Sequence, residues 1–460
     1  MTEPVLIELA RFVAETPVHA IPAVARAHAA LVIADTIGAV LGGSVEPEIR
    51  RLHRETERSA GPATVLAAGL RGAEPWWAVV ANGTAGTMLE LDEGNRFARG
   101  HPAIHVLPAA LTEAERTGAS GEAMVAAFVL GYDVAARLGA AAPVRPGMHM
   151  HGVHGAVGAA AAVARLRDLD AAATTQALAV AAGLTIATSW QTALGGATVR
   201  NAYAGVAGAN GWLAVDLAQA GFTGLGDMLT ETFGRISGSA LDLHVALGGI
   251  GRRFEVTRNY FKRYACCRYN HAAIEALEVL LVEGAVDADR VAAIRVSTYA
   301  AAATMASRDP AGSLGAKFSI PYALAARLVL GDCGPEAFRE PALSNPRLRA
   351  LARRIEVVED PELTLRLPEA RPARVEVRLA GGAVLTRQVD TASGEFDRPY
   401  SREGLLEKFL ALAGPVLGGP GARGAWALAE TLERLKSVRE LTDGLRAFEA
   451  AHRGTASGGA

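Results

Sequence analysis

Three segments collect the side chains able to move protons or hold anions. The first, residues 82–115 (NGTAGTMLELDEGNRFARGHPAIHVLPAALTEAE), crowds Asp92, Glu93, Arg96, Arg99 and His101 between two apolar helical patterns. A carboxylate beside a histidine can orient it as a general base, and arginine binds carboxylates or phosphates bidentately. The second, GMHMHGVHG, places His149, His151 and His154 among glycines. Its spacing is not the i, i+4 pattern of a zinc helix, and the glycines indicate a loop entering a helix N-terminus, where anions are stabilised. No metal is expected. The third, FKRYACCRYNH, joins Lys262, Arg263, Arg268 and His271. That cationic density suits an acidic small molecule, and the adjacent Cys266 and Cys267 lack a CxxC spacing.

Two further positions carry chemistry. GGATVRNAYAGVAG sets Arg200 at a helix start, where it can neutralise a substrate carboxylate. AKFSIPYALA sets Ser319 and Tyr322 around Pro321. No GxxxxGK[ST], GxGxxG after a strand, or GxSxG occurs, which counts against nucleotide kinases, dinucleotide dehydrogenases and standard serine hydrolases.

The elements that must position these groups are mostly helical. The chain has 460 residues, 50% hydrophobic and 20% charged, rich in Ala and Gly and with 5% aromatics, a composition for closely packed helices. Pro4 opens an amphipathic helix; helical patterns follow from residues 22 to 41, 76 to 89, 103 to 117, 121 to 138, 155 to 166, 171 to 188 and 200 to 221, with no strand before about residue 260. Beyond it, residues 293–299 and 363–367 alternate like strands, and residues 375–389 form a hairpin turning at Gly381–Gly382. Ser401 begins a return to helix. The expected organisation is a large all-helical domain from residues 1–264 and 401–453, an inserted α+β lid of residues 265–400, and a disordered tail of 454–460.

The net charge of −2 offers no footprint for nucleic acid. The apolar run 29–41 is interrupted by Asp35 and is short for a membrane span, so no membrane partner is expected. The N-terminus lacks signal-peptide features, and a cytoplasmic location follows as the expectation.

Seven segments together, in order, resemble the MmgE/PrpD family of 2-methylcitrate dehydratases, cis-aconitate decarboxylases and iminodisuccinate epimerase: ADTIGAVLGG, NGTAGTMLELDEGNRFARGHPA, GYDVAARLG, GMHMHGVHGAVGAAAA, VRNAYAGVAGANGWLAVDLAQAGFTG, FKRYACCRYNHAAIEAL and KFSIPYALA. The resemblance implies a helical domain built from both chain ends, a lid and a homodimer. It implies no cofactor, and catalytic positions at Asp92, His101, His149, Lys262 and Tyr322. Arg96, Arg200, His151 and His271 are the candidate substrate contacts, with Arg200 near a family lysine. The family's NGxxxHxLDxDD run differs here, with Thr87 for a frequent His, Glu90 for an Asp and Glu93 for the last Asp. Arg96 stands where the decarboxylases have a Thr, and His151 replaces a Thr. The expected activity is removal of a proton beside a carboxylate of a small di- or tricarboxylate by a hydro-lyase. Epimerase or decarboxylase is the alternative, and an inactive binding protein the reading of a different class.

Overall fold

The computed structural model describes residues 2–56, 59–66, 72–284 and 286–457, with side chains to residue 454. The fold is mostly α. Ten helices lead: α1 (Pro4–Glu15), α2 (Ala23–Gly43), α3 (Pro47–Thr56), α4 (Pro75–Thr87), α5 (Pro102–Thr117), α6 (Gly121–Ala141), α7 (Gly155–Leu166), α8 (Ala171–Gly183), α9 (Trp190–Leu194) and α10 (Val199–Gln219). Pro4 stands at the first helical turn of α1, where no backbone donor is needed, and the apolar stripe Val5, Leu6, Leu9, Phe12 and Val13 is buried. α8 ends at Gly183, earlier than the alanine-rich pattern suggests.

Small residues set how closely these helices approach. A Cβ on Gly83 of α4 would stand 2.5 Å from Gly205 Cα of α10, and one on Gly131 of α6 2.5 Å from the Gly158 carbonyl of α7. α2 and α6 are 21-residue helices, long and apolar enough by composition to cross a bilayer, longer than the run 29–41 suggests. Their apolar stretches are 72% and 89% buried inside the fold, as core helices are.

Two short strand pairs interrupt this helical body: β1 (Ala60–Thr64) with β2 (Gly72–Ala73), and β3 (Gly94–Asn95) with β4 (Asn259–Tyr260). They correct the expectation of no strand before residue 260: β2, β3 and β4 are two residues each, too short for alternation to register, and β1 reads AGPAT, with no apolar alternation. The second pair fastens the loop after Asp92 to the segment before Lys262.

The chain then builds a four-stranded sheet in the order β6-β5-β7-β8 from β5 (Val291–Thr298), β6 (Ile355–Glu359), β7 (Ala373–Leu379) and β8 (Val384–Val389). β5 and β6 run parallel; the other neighbours are antiparallel. Ala373, Val375, Val377 and Leu379 alternate inward on β7. The alternation at residues 363–367 is not a strand. Asp360 caps the Glu362 N–H and Pro361 starts a short helix, Pro361–Thr364, which leaves Leu365 85% exposed. The parallel partner of β5 is β6, whose five residues carry no clear period.

Residues 402–430 form one helix kinked at Gly418 (φ 70°) between Pro415 and Pro420, and Ser401 caps it through the Gly404 N–H. It packs on α2, where Gly38 leaves room for the Phe409 ring. The last helix runs to Ser457, past the expected end near Arg453; residues 458–460 of the expected tail lie outside the described residues. Buried apolar side chains fall into two large clusters, one spanning α1–α10 and the late helices, the other the sheet and its helices from Tyr264 to Ala392.

Candidate active site

The three chemistry-bearing segments converge on a cavity of about 560 Å³ between these two clusters. His101, His149, His151 and Arg200 line it from the helical side. A separate cavity of about 470 Å³, between α3 and the final helices, holds none of this group.

The segment after α4 is tied down from several directions. Thr87 donates to the Asn201 carbonyl of α10 at 2.7 Å, and Lys408 of the late helix donates to Asp35 (2.6 Å) and to the Leu91 carbonyl (2.7 Å). Glu93 accepts from the Ala103 N–H at the start of α5 (2.8 Å), and the Tyr132 hydroxyl donates to its other oxygen (3.0 Å). Burial pushes the Glu93 carboxyl up to about 8, so it is largely neutral at pH 7.

Asp92, between these anchors, is fully buried. Burial alone would raise its pKa, but Lys262, His101 and Arg200 outweigh burial and hold the carboxyl below the ordinary carboxylate range. His101 Nδ1 lies 2.6 Å from the Glu93 carbonyl and 3.1 Å from Asp92 Oδ2. Both neighbours accept only, so Nδ1 carries the proton and Nε2 is the basic nitrogen.

Lys262 Nζ stands 3.4 Å from both Glu90 and Asp92, and Arg200 donates to Glu90. Although burial disfavours its charge, Asp92 and Glu90 raise the Lys262 pKa above its usual value. An alternating buried chain results: Arg200, Glu90, Lys262, Asp92, His101. Glu90 adopts a left-handed φ of 54°, strain that persists only where surroundings impose it.

His149 hangs beside the Arg200 end, where Arg200 Nε approaches its Nε2 at 3.3 Å and the His151 N–H donates to its Nδ1 at 3.0 Å. One neutral imidazole cannot accept at both nitrogens and keep its proton, so only one contact is a full hydrogen bond. Burial first, then the charge of Arg200, hold the His149 pKa well below 6.5. The loop carrying it is shaped by His105, whose Nδ1 donates to the His101 carbonyl (2.8 Å) while Nε2 accepts from the Gly152 N–H (3.1 Å). Gly155 must lack a Cβ, which would meet the His105 ring at 2.2 Å. His154 packs on Phe233 at 4.7 Å and is structural.

His151 is fully buried with neither ring nitrogen partnered. Asp92, His101 and His151 offer one potential metal-ligand atom each within 4.8 Å. The set is a poor cation cage: His101 Nδ1 is committed as a donor and Lys262 already neutralises Asp92.

Five of the nine expected site residues do not line the cavity. Asp92 and Lys262 belong to the buried chain that ends at it, and the other three are turned elsewhere. Tyr322 donates to the Ala337 carbonyl (2.8 Å) against Phe338, because the Ser319 cap starts its helix with the phenol turned into the core around the four-stranded sheet. His271 lies between the Arg268 guanidinium (3.1 Å) and the Cys266 carbonyl (3.3 Å). The Arg96 guanidinium pairs with Asp397 (2.9 Å) and stacks on Phe97 and Phe396. Conversely, Glu90, Trp190, Tyr260, Tyr269 and Arg371 line the cavity without having been singled out as contacts. Glu90 carried a signal as a departure from the family pattern, and Tyr269 sits within FKRYACCRYNH; Arg371 lies in no motif.

Two family models match the chain, the MmgE/PrpD N-terminal domain over residues 7–240 and the MmgE/PrpD C-terminal domain over residues 264–434. The chain belongs to the MmgE/PrpD family. Among MmgE/PrpD relatives, a cis-aconitate decarboxylase of Aspergillus terreus is 25% identical over 383 residues, covering 77% of this chain and 78% of its own. The cis-aconitate decarboxylase-like protein oryM of Aspergillus oryzae is 25% identical over 403 residues, 80% of this chain and 81% of its own. The human cis-aconitate decarboxylase is 29% identical over 135 residues, 29% of this chain and 27% of its own. The MmgE/PrpD relatives named here as decarboxylases are enzymes, and the cavity lies between the segments that identify the family.

Proposed function

We propose that the protein is a cofactor-independent lyase that removes the proton beside a carboxylate of a small di- or tricarboxylate. The observation that carries this reading is the buried chain from Arg200 to His101, which ends at the cavity in a cation beside His149 and in an imidazole oriented by an ionised Asp92. A carbanion beside a carboxylate concentrates negative charge on the carboxylate oxygens, and fixed cations aimed there supply the main stabilisation. His101 Nε2 takes the proton while Arg200, backed by Lys262, faces the developing charge. With Tyr322 turned away and His149 held neutral, the proton taken by His101 is the one available to a departing hydroxyl, giving water and a new double bond. Hydro-lyase chemistry is therefore the first reading.

Decarboxylation is the second, supported by the relatives from Aspergillus terreus and Aspergillus oryzae. There the carbon–carbon bond breaks, CO2 leaves, and an imidazole protonates the carbon. Incubating the protein in D2O with malate, citrate, 2-methylcitrate and cis-aconitate separates these by NMR. A new double bond means dehydratase, loss of CO2 means decarboxylase, and exchange without net change means epimerase. No exchange and no product from any of the four would sink the reading.

A further inference from the structure

We infer that Arg371 and Arg99 form a second carboxylate subsite in this cavity, so that a productive substrate is held by two carboxylates at two places. The inference rests on the proposed polycarboxylate chemistry and adds where the remote end is bound.

The cations around the cavity divide into balanced and unbalanced groups. Arg200 and Lys262 are matched by Glu90 and Asp92. Arg268 is spent on Glu395 and the Ala392 and Ser393 carbonyls, and Arg145 on the Gly238 and Arg235 carbonyls. Arg371 is different. Its guanidinium makes one hydrogen bond among the described residues, to the Arg96 carbonyl at 2.9 Å, and no ion pair. The nearest acidic influence on it, Glu395, is already shared by Arg96 and Arg268. A half-buried guanidinium keeps its charge and has five donors in a planar fork, so a cavity anion would supply the missing counter-charge in bidentate geometry.

Arg99 lines the same cavity and has no side-chain hydrogen bond or ion pair among the described residues. It is held at a left-handed φ of 57°. Of the three non-glycine residues with positive φ among the described residues, two, Glu90 and Arg99, line this cavity. Strain gathered at one cavity is the pattern expected of a functional wall. Arg99, Arg371 and Tyr269 line the same cavity, and Arg371 stands over the Tyr269 ring at 5.6 Å. The Trp190 ring lies 6.0 Å from the Tyr269 ring and 5.3 Å from the His149 ring, so an aromatic wall joins this pair to the helical side of the site. One carboxylate beside the reacting carbon meets Arg200; a second meets Arg371 and Arg99.

Calorimetric titration with tricarballylate, glutarate and butyrate tests this on wild type, Arg371→Met and Arg371→Lys. The expected result is that Arg371→Met weakens tricarballylate and glutarate by about tenfold or more, with butyrate unchanged and Arg371→Lys recovering part of the loss. Wild-type affinity for all three ligands in Arg371→Met overturns the subsite. So does an equal loss for all three, which would make Arg371 a clamp on the Arg96 loop. If wild type binds none of the three, the polycarboxylate reading fails first and the subsite with it.

Discussion

The two sides of the cavity are built differently. On the helical side, α4 and α10 touch backbone to backbone through Gly83 and Gly205, and the same two helices lead to Glu90 and Asp92 and carry Arg200. α6 and α7 meet just as closely, and α7 follows the loop bearing His149 and His151. The sheet side packs larger side chains, such as Ile294, Leu324, Phe338, Val375 and Val377, and sends Arg371 to the cavity from a loop before β7. Helices without side-chain slack cannot shift by small amounts, so they suit groups that must meet a reacting atom. A long guanidinium on a loop tolerates looser placement and suits binding.

The strongest way to break this contrast is to remove the base from the helical side. His101→Gln lowers turnover by about 10²-fold or more with a much smaller change in KM, the usual range for a general base. Steady-state kinetics on whichever tricarboxylate is turned over measures it, and undiminished turnover would move the reaction centre elsewhere.

Packing substitutions sharpen the contrast. Leu324→Ala, in the buried core around the sheet, costs about 2–5 kcal/mol of stability. Turnover below the melting transition is nevertheless expected to stay near wild type. Gly83→Ala forces α4 from α10 at a cost of about 1–3 kcal/mol, partly offset by the better helix propensity of alanine. It should lower turnover as well, because the displaced helices carry Arg200 and lead to Glu90. Thermal melts paired with kinetics below the transition check both, and an equal loss of turnover in the two variants would erase the distinction.

A subtler test exploits Glu93. Its folded pKa of about 8 lies above the ordinary 4.5, so between these values the folded protein keeps a proton that the unfolded chain has lost. The stabilisation is therefore complete below about pH 4.5, falls as pH rises, and is gone above about 8. Glu93→Gln keeps a neutral amide toward Ala103 and Tyr132, and should flatten that decline. Melting temperatures of both proteins at pH 5 and pH 8 give the comparison; parallel losses would mean that Glu93 is ionised in the fold.

Helix starts were legible in sequence wherever local chemistry set them, as at Pro4 and at Ser401 with its bond from Gly404. The hairpin around Gly381–Gly382 was legible for the same reason. Residues 363–367 misled because five residues of alternation cannot outweigh a proline and an aspartate cap just upstream. The segments holding Asp92, His101, His149 and Lys262 stood out by composition, since each concentrates its groups locally. What could not be read was pairing across the chain: Glu90 as counter-ion to both Arg200 and Lys262, or Arg96 consumed by Asp397. These depend on contacts more than a hundred residues apart, for which a single sequence has no local signal.

Tyr322 gives the smallest expected effect and bears most directly on what a resemblance transfers. The family resemblance implies a catalytic role for it, yet its hydroxyl is 2.8 Å from the Ala337 carbonyl and its ring lies against Phe338, both in the core around the sheet. Tyr322→Phe should cost about 1 kcal/mol of stability through the lost hydrogen bond. Turnover should change by no more than about twofold, as for sites away from chemistry. A loss approaching that of His101→Gln, with the melting temperature unchanged, would mean that the sheet side rearranges on binding to bring this phenol to the substrate. Proton handling would then be shared between the two sides of the cavity.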